Sequence, residues 1–139
     1  MAHVLYTFFV EYETTAHAVH LLVYHLIWCP KYRRPVLDGP IAARLRELVS
    51  TVADEHGWTV VEAAIQPDHV HLFLRCRSTD APHLVVRALK GRTSRALRQE
   101  FPALKRRLPT LWTRSYFCAS AGNVSAATIQ RYIEAQKGV

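Results

Sequence analysis

Runs of alternating or continuous apolar residues and stripes at helical spacing divide this chain into a short series of elements. His20–Trp28 is rich in Leu, Val, Tyr and Trp and ends at Cys29-Pro30, which predicts a buried strand. The loop Pro30–Pro40 follows. Ile41, Leu45, Leu48, Val49 and Val52 then fall at i, i+4, i+7, i+8 and i+11, an amphipathic helix with Gly57 as its stop. Trp58–Ile65 and His69–Arg75 read as two strands separated by Gln66-Pro67-Asp68, a hairpin or tight connection. Asp80 is placed to cap a second helix, with Pro82 in its first turn and an end near Glu100. Leu84, Val85, Ala88, Leu89 and Leu97 are its expected inward residues. Gly91 interrupts it, which points to a close backbone approach there.

Phe101–Arg114 reads as a proline-containing basic loop and Tyr116–Ser120 as a last strand. Ala121-Gly122-Asn123 reads as a turn, and Ser125 as the cap of a C-terminal helix. The first 18 residues carry no motif, although Leu5–Tyr12 is apolar enough for a short strand or a partner contact. The order β-α-β-β-α-β-α predicts an α+β fold. It is a ferredoxin-like split βαβ antiparallel sheet with helices on one face, plus the C-terminal helix. At 139 residues the chain reads as a single domain, 1–139, with residues 1–18 of unclear role and 124–139 as the C-terminal helical segment.

Composition narrows the class. Half of the residues are hydrophobic, which argues against a disordered chain. Cys29, Cys76 and Cys118 are odd in number and form no CxxC pair, so a disulfide framework and a zinc knuckle are not indicated and the cytoplasm is the expected compartment. Val19–Cys29 is interrupted by His20 and His25 and is too short to span a bilayer, so no membrane association is expected. Formal net charge is +7, and between Arg87 and Arg114 nine basic residues stand against one acid, Glu100. Lys31, Arg33 and Arg34 form a second cluster. One such cluster is as well explained by a solvated surface; two point to a polyanionic partner, nucleic acid above all.

The candidate chemistry lies in two places. His69 and His71, at i and i+2 of a strand, share one face, and Tyr132 and Gln136, at i and i+4 of a helix, share another. A lone strand histidine is usually structural, and Tyr132 alone reads as a half-buried aromatic beside Ile129 and Ile133. Together, two imidazoles and an amide oxygen can hold a divalent ion with open positions, Mn²⁺ or Mg²⁺, while the phenol attacks a phosphate. A closed zinc site would need a further Cys or His.

The blocks Tyr24–Arg33, Pro67–Leu72, Leu89–Ser94, Leu111–Tyr116 and Ile129–Gln136 together resemble the single-tyrosine HUH transposases, small transposases of prokaryotic insertion sequences that move as single-stranded DNA. The resemblance covers roughly His20 to Gln136. It implies that His69-Val70-His71 is the HUH motif, Tyr132 the nucleophile and Gln136 the third ligand of a Mg²⁺ or Mn²⁺ ion. It implies cleavage of single-stranded DNA through a 5′-phosphotyrosine, recognition of hairpins near the element's ends, and a homodimer whose C-terminal helices can serve the partner's site. The Asn123-centred turn would be the hinge and His20–Trp28 would lie near the joint. Lys31, Arg33, Arg34, Arg87, Lys90, Arg92, Arg95 and Arg98 are the expected DNA contacts. A metal-dependent hydrolase without a covalent intermediate, a non-catalytic nucleic-acid-binding module and a host-domesticated repeat-associated relative are the other readings.

Overall fold

The computed structural model describes residues 3–5, 13–14, 19–20, 22–120 and 123–139, with side chains described for 22–120 and 131–139. In chain order the elements are β1 (His3–Leu5), β2 (Glu13–Thr14), β3 (Val19–His20), β4 (Val23–Trp28), a 3₁₀ turn (Lys31–Arg33), α1 (Gly39–His56), β5 (Thr59–Gln66), β6 (His69–Arg75), α2 (Pro82–Glu100), α3 (Pro102–Arg107), β7 (Phe117–Ser120), β8 (Asn123–Ser125) and α4 (Ala126–Ala135).

β4, β5, β6 and β7 form one antiparallel sheet in the order β5-β6-β4-β7. The first strand therefore lies beside the third, as a split βαβ connection requires. The alternation of side chains sorts the two faces. Tyr24, Leu26, Trp28, Val70, Leu72 and Leu74 point to one side and are buried against Leu45, Leu48, Val49 and Val52 of α1 and Val85, Leu89 and Leu97 of α2. His25, Ile27, His69, His71 and Phe73 alternate with them, and there Ile27 packs on Ile133 of α4, with Phe117 and Tyr132 alongside. α1 and α2 thus cover one face of the sheet, and α4 lies on the other.

α1 stops where expected. Gly57 takes a left-handed φ of 73° and its N–H reaches the carbonyls of Ala53 and Asp54. Four expectations need correction. Asp80 caps nothing: α2 starts after Ala81 without a side-chain cap, and the Asp80 carboxylate instead accepts the Trp58 indole N–H at 2.8 Å and the Arg77 backbone N–H at 2.8 Å. A buried indole donor has few acceptors within reach, and this one takes the carboxylate. Leu84 is 52% exposed, whereas Val86 and Thr93 are buried. At about 100° per residue the buried stripe Val85-Val86-Leu89-Thr93-Leu97 leaves Leu84 nearly opposite it. At Gly91 an added Cβ would meet nothing within 4 Å, so no close backbone approach occurs among the described residues. Finally, the basic loop after α2 contains α3, seated on the core by Leu104.

Two further differences concern the ends. Val19–His20 is separate from β4 and pairs with β2. Asn123 is not in a turn: Asn123–Ser125 is extended and pairs with His3–Leu5, Val4 facing Val124, a β-branched pair suited to a ladder. Residues 6–12 and 121–122, parts of the expected N-terminal strand and hinge, lie outside the described residues. Ser125 directly precedes α4.

Candidate functional site

The two histidines sit at the start of β6, just after the two-residue turn Pro67-Asp68. His69 pairs with Gln66 across the hairpin, and His71 lies between Ala64 and Ile27. Because both belong to one side of the pleat, their rings meet edge to face with centroids 5.0 Å apart. Each ring has its Nδ1 engaged. His69 Nδ1 lies 2.7 Å from Asp68 Oδ1. His71 Nδ1 lies 3.4 Å from Nε2 of His25, a fully buried residue stacked on Phe73 with centroids 4.3 Å apart.

A carboxylate at Nδ1 selects the tautomer that protonates there and leaves the His69 Nε2 lone pair open, the arrangement found around ligating histidines. Burial pushes His71 down to about 4, with His69 and His25 adding to the effect, and burial likewise lowers His25 to about 4. His71 is therefore neutral near pH 7, as an imidazole ligand must be. On these grounds His69 and His71 fit a divalent ion. Among the described residues, no group of three His, Cys, Asp or Glu is placed to hold one.

Tyr132 and Gln136 meet on one hydroxyl. Ser115 Oγ donates to Gln136 Oε1 at 2.7 Å and lies 3.2 Å from the Tyr132 phenol. Thr113 Oγ1 reaches the same amide oxygen at 3.3 Å. Gln136 is only 6% exposed, in the turn that continues α4. Burial pushes the Tyr132 phenol up to about 12. The Ser115 hydroxyl, which lowers the phenol when its single proton turns there rather than to Gln136, does not outweigh burial. The Thr113–Ser115 segment is itself held by Lys90, whose ammonium donates to the carbonyls of Thr113 and, at 3.1 Å, Ser115. Burial lowers Lys90 to about 8.

The structure thus forms two pairs, His69 with His71 and Tyr132 with Gln136, on the same side of the sheet. Among the described residues no hydrogen bond or ring contact joins one pair to the other. Arg33 spans them. Its Nε lies 3.3 Å from Asp68 Oδ2, and one of its terminal nitrogens lies 3.3 Å from both Glu134 Oε1 and the Ile133 carbonyl. Sequence reasoning missed His25, Asp68 and Ser115 as members of the site. His25 had a signal, since it shares the parity of a histidine-bearing face once β4 and β6 are paired, but the pairing itself is tertiary.

The expected DNA contacts divide. Arg34, Arg87 and Arg95 are exposed, and Arg87, Arg92 and Arg95 line a shallow groove on α2 with Leu84, Ala88 and Gly91. Arg92 pairs with Glu55, and Arg98 donates to the Leu108 carbonyl at 3.1 Å. Lys31 lies over the Tyr32 ring and borders a second groove with Lys90, Trp112 and Arg114. Arg33 and Lys90 turn inward. No described helix is long and apolar enough to cross a membrane.

Comparison with known proteins bears directly on this arrangement. Residues 18–136 match the family model described as IS200-like transposase. The ISDra2 transposase TnpA of Deinococcus radiodurans is 40% identical over 120 residues, which cover 85% of this chain and 86% of that protein. The transposase for insertion sequence element IS200 of Salmonella typhimurium is 28% identical, with 89% and 82% covered. A crystal structure described as a transposase from D. radiodurans R1 superposes with a TM-score of 0.82 at 35% identity, covering 91% of this chain and 99% of that one. A REP-associated tyrosine transposase bound to a REP hairpin shares the fold, with a TM-score of 0.56 at 13% identity and 88% and 68% covered. With the family model spanning the whole four-stranded sheet and α4, this chain belongs to the IS200-like transposase family.

Proposed function

We propose that this transposase cleaves and rejoins single-stranded DNA at the ends of an insertion sequence, with Tyr132 as nucleophile and His69, His71 and Gln136 as ligands of a Mg²⁺ or Mn²⁺ ion. The supporting observation is the shared sheet face. The helix bearing Tyr132 packs by Ile133 on Ile27, the residue directly opposite His71 in the β4–β6 ladder. In the reaction a bond forms between the Tyr132 phenolic oxygen and phosphorus, and the bond from phosphorus to the 3′ oxygen breaks. The phenolic proton is given up, and the leaving 3′ oxygen gains one. The products are a 5′-phosphotyrosine and a free 3′-OH, and attack by another 3′-OH reverses the step on a new strand.

With its phenol near 12, Tyr132 needs about 5 kcal/mol to ionise at pH 8, so attack requires a changed environment around the phenol. Turning the Ser115 proton from Gln136 to Tyr132 frees the Gln136 amide oxygen from one of its two donors. A divalent ion at the histidines supplies positive charge to the phosphate oxygens. Asp68 holds the His69 imidazole in the tautomer that leaves Nε2 free to ligate, and His25 stands behind Nδ1 of His71. The exposed arginines of α2, with Lys31 and Arg34, suit the backbone of a hairpin, and a homodimer that shares C-terminal helices is part of this reading.

The test is incubation with single-stranded hairpin DNA and Mn²⁺ or Mg²⁺, followed by denaturing electrophoresis. A covalent protein–DNA adduct is expected from the wild type and not from Tyr132→Phe, with hairpin binding nearly unchanged. Adducts that survive in Tyr132→Phe, or cleavage by His69→Ala in chelator, would refute the assignment. Turnover without any adduct would favour water as nucleophile.

A further inference from the structure

We propose that Arg33 is a positioning residue that docks the helix carrying Tyr132 onto the hairpin carrying His69, rather than a DNA contact. This rests on the roles given above to Tyr132 and His69. Three observations carry it. The first is the set of partners. One guanidinium faces Asp68 at 3.3 Å, Glu134 at 3.3 Å and the Ile133 carbonyl at 3.3 Å, with its side chain 15% exposed. Asp68 passes the connection to His69 through its other oxygen at 2.7 Å. A planar fork can serve acceptors on two sides at once; an ammonium on a flexible stem cannot hold the same geometry.

The second observation is the backbone that aims this side chain. Tyr32 and Arg33 both take left-handed φ, 58° and 52°, in successive positions. Side chains with a Cβ rarely adopt that conformation, and such residues persist where the surroundings impose them. Here the Lys31 N–H binds the Leu111 carbonyl and the Arg33 N–H binds the Pro30 carbonyl, each at 2.8 Å. The third is a second grip on the same segment. The Tyr32 N–H donates to the Val139 carbonyl at 2.8 Å, so the turn holds the C-terminal segment on both sides of Gln136. The turn therefore ties the two halves of the site, which share no hydrogen bond or ring contact among the described residues, into one unit.

The test compares wild type with Arg33→Ala, Arg33→Lys and Asp68→Asn, using a single-stranded hairpin oligonucleotide and Mn²⁺. In Arg33→Ala the single-turnover rate of adduct formation is expected to fall about 10- to 100-fold, the usual cost of losing a partner one step behind a ligand. Hairpin affinity and its salt dependence stay unchanged, and amides of residues 131–136 exchange faster in the metal-free protein. Arg33→Lys recovers only part of the rate, and Arg33→Ala adds little to Asp68→Asn. A drop in hairpin affinity with a salt slope smaller by about one phosphate, and no change in amide exchange, would make Arg33 a DNA contact and overturn the proposal. If Arg33→Ala does not fold, Arg33→Lys carries the same comparison, since it keeps the charge and loses the fork. An absence of adducts even from wild type would refute the Tyr132 chemistry, while the exchange measurement would still decide the docking.

Discussion

Acidification should weaken this fold well before its carboxylates protonate, and His25 is the reason. His25 is fully buried, stacked on Phe73, and lowered by burial from 6.5 to about 4. A base whose folded pKa is depressed favours the folded state above its unfolded pKa. As pH falls from 6.5 towards 4 the unfolded chain takes up a proton that the folded chain refuses, so stability is lost across that window. At pH 5.0 this amounts to roughly 2 kcal/mol for one such histidine relative to pH 7.5. His71 is lowered to the same value, chiefly by burial, and contributes to the same window. The two rings share a contact at 3.4 Å, so their effects do not add independently, and a total loss of roughly 2–4 kcal/mol is expected. The assay is urea unfolding in chelator at pH 7.5 and 5.0, comparing midpoints at constant slope. In His25→Phe, which keeps the stack on Phe73 without a titrating group, the acid-induced loss should shrink by about 2 kcal/mol. A wild-type midpoint that does not move between the two pH values, or an identical pH dependence in His25→Phe, would refute the reasoning.

Two stability predictions test the frame around the site. Thr93→Val removes the oxygen that accepts the buried Trp112 indole N–H at 3.1 Å, leaving the donor unsatisfied; a loss of about 1–3 kcal/mol in urea unfolding is expected. Gly57→Ala meets no neighbour within 4 Å, so its cost is the left-handed backbone alone, about 1 kcal/mol by thermal or chemical unfolding.

The legible part of this protein was its periodicity. The i, i+4, i+7, i+8 stripe of Ile41–Val52 and the Gly57 stop are local properties of one helix, and both are present in the fold. The two strands around Pro67-Asp68 form the expected hairpin, because a two-residue turn between apolar runs leaves few other pairings. The same-face relation of His69 and His71 follows from the pleat alone. Where local rules misjudged the chain, a long-range partner decided. Asp80 is recruited by Trp58 instead of capping α2, and Asn123–Ser125 extends because His3–Leu5 lies beside it.

The sequence by itself determined the order along the chain of the four sheet strands and of α1 and α2, the shared face of His69 and His71, and the residue types able to handle a phosphate, since these depend on neighbours within a turn or a pleat. Only the tertiary structure decided that His25 stands behind His71, that Ser115 joins Tyr132 to Gln136, and that Arg33 spans the two pairs. Those contacts link residues 17 to 101 positions apart, and they exist only because the strand order β5-β6-β4-β7 brings separate segments onto one sheet face. Periodicity within a segment carries no information about which other segment will lie against it.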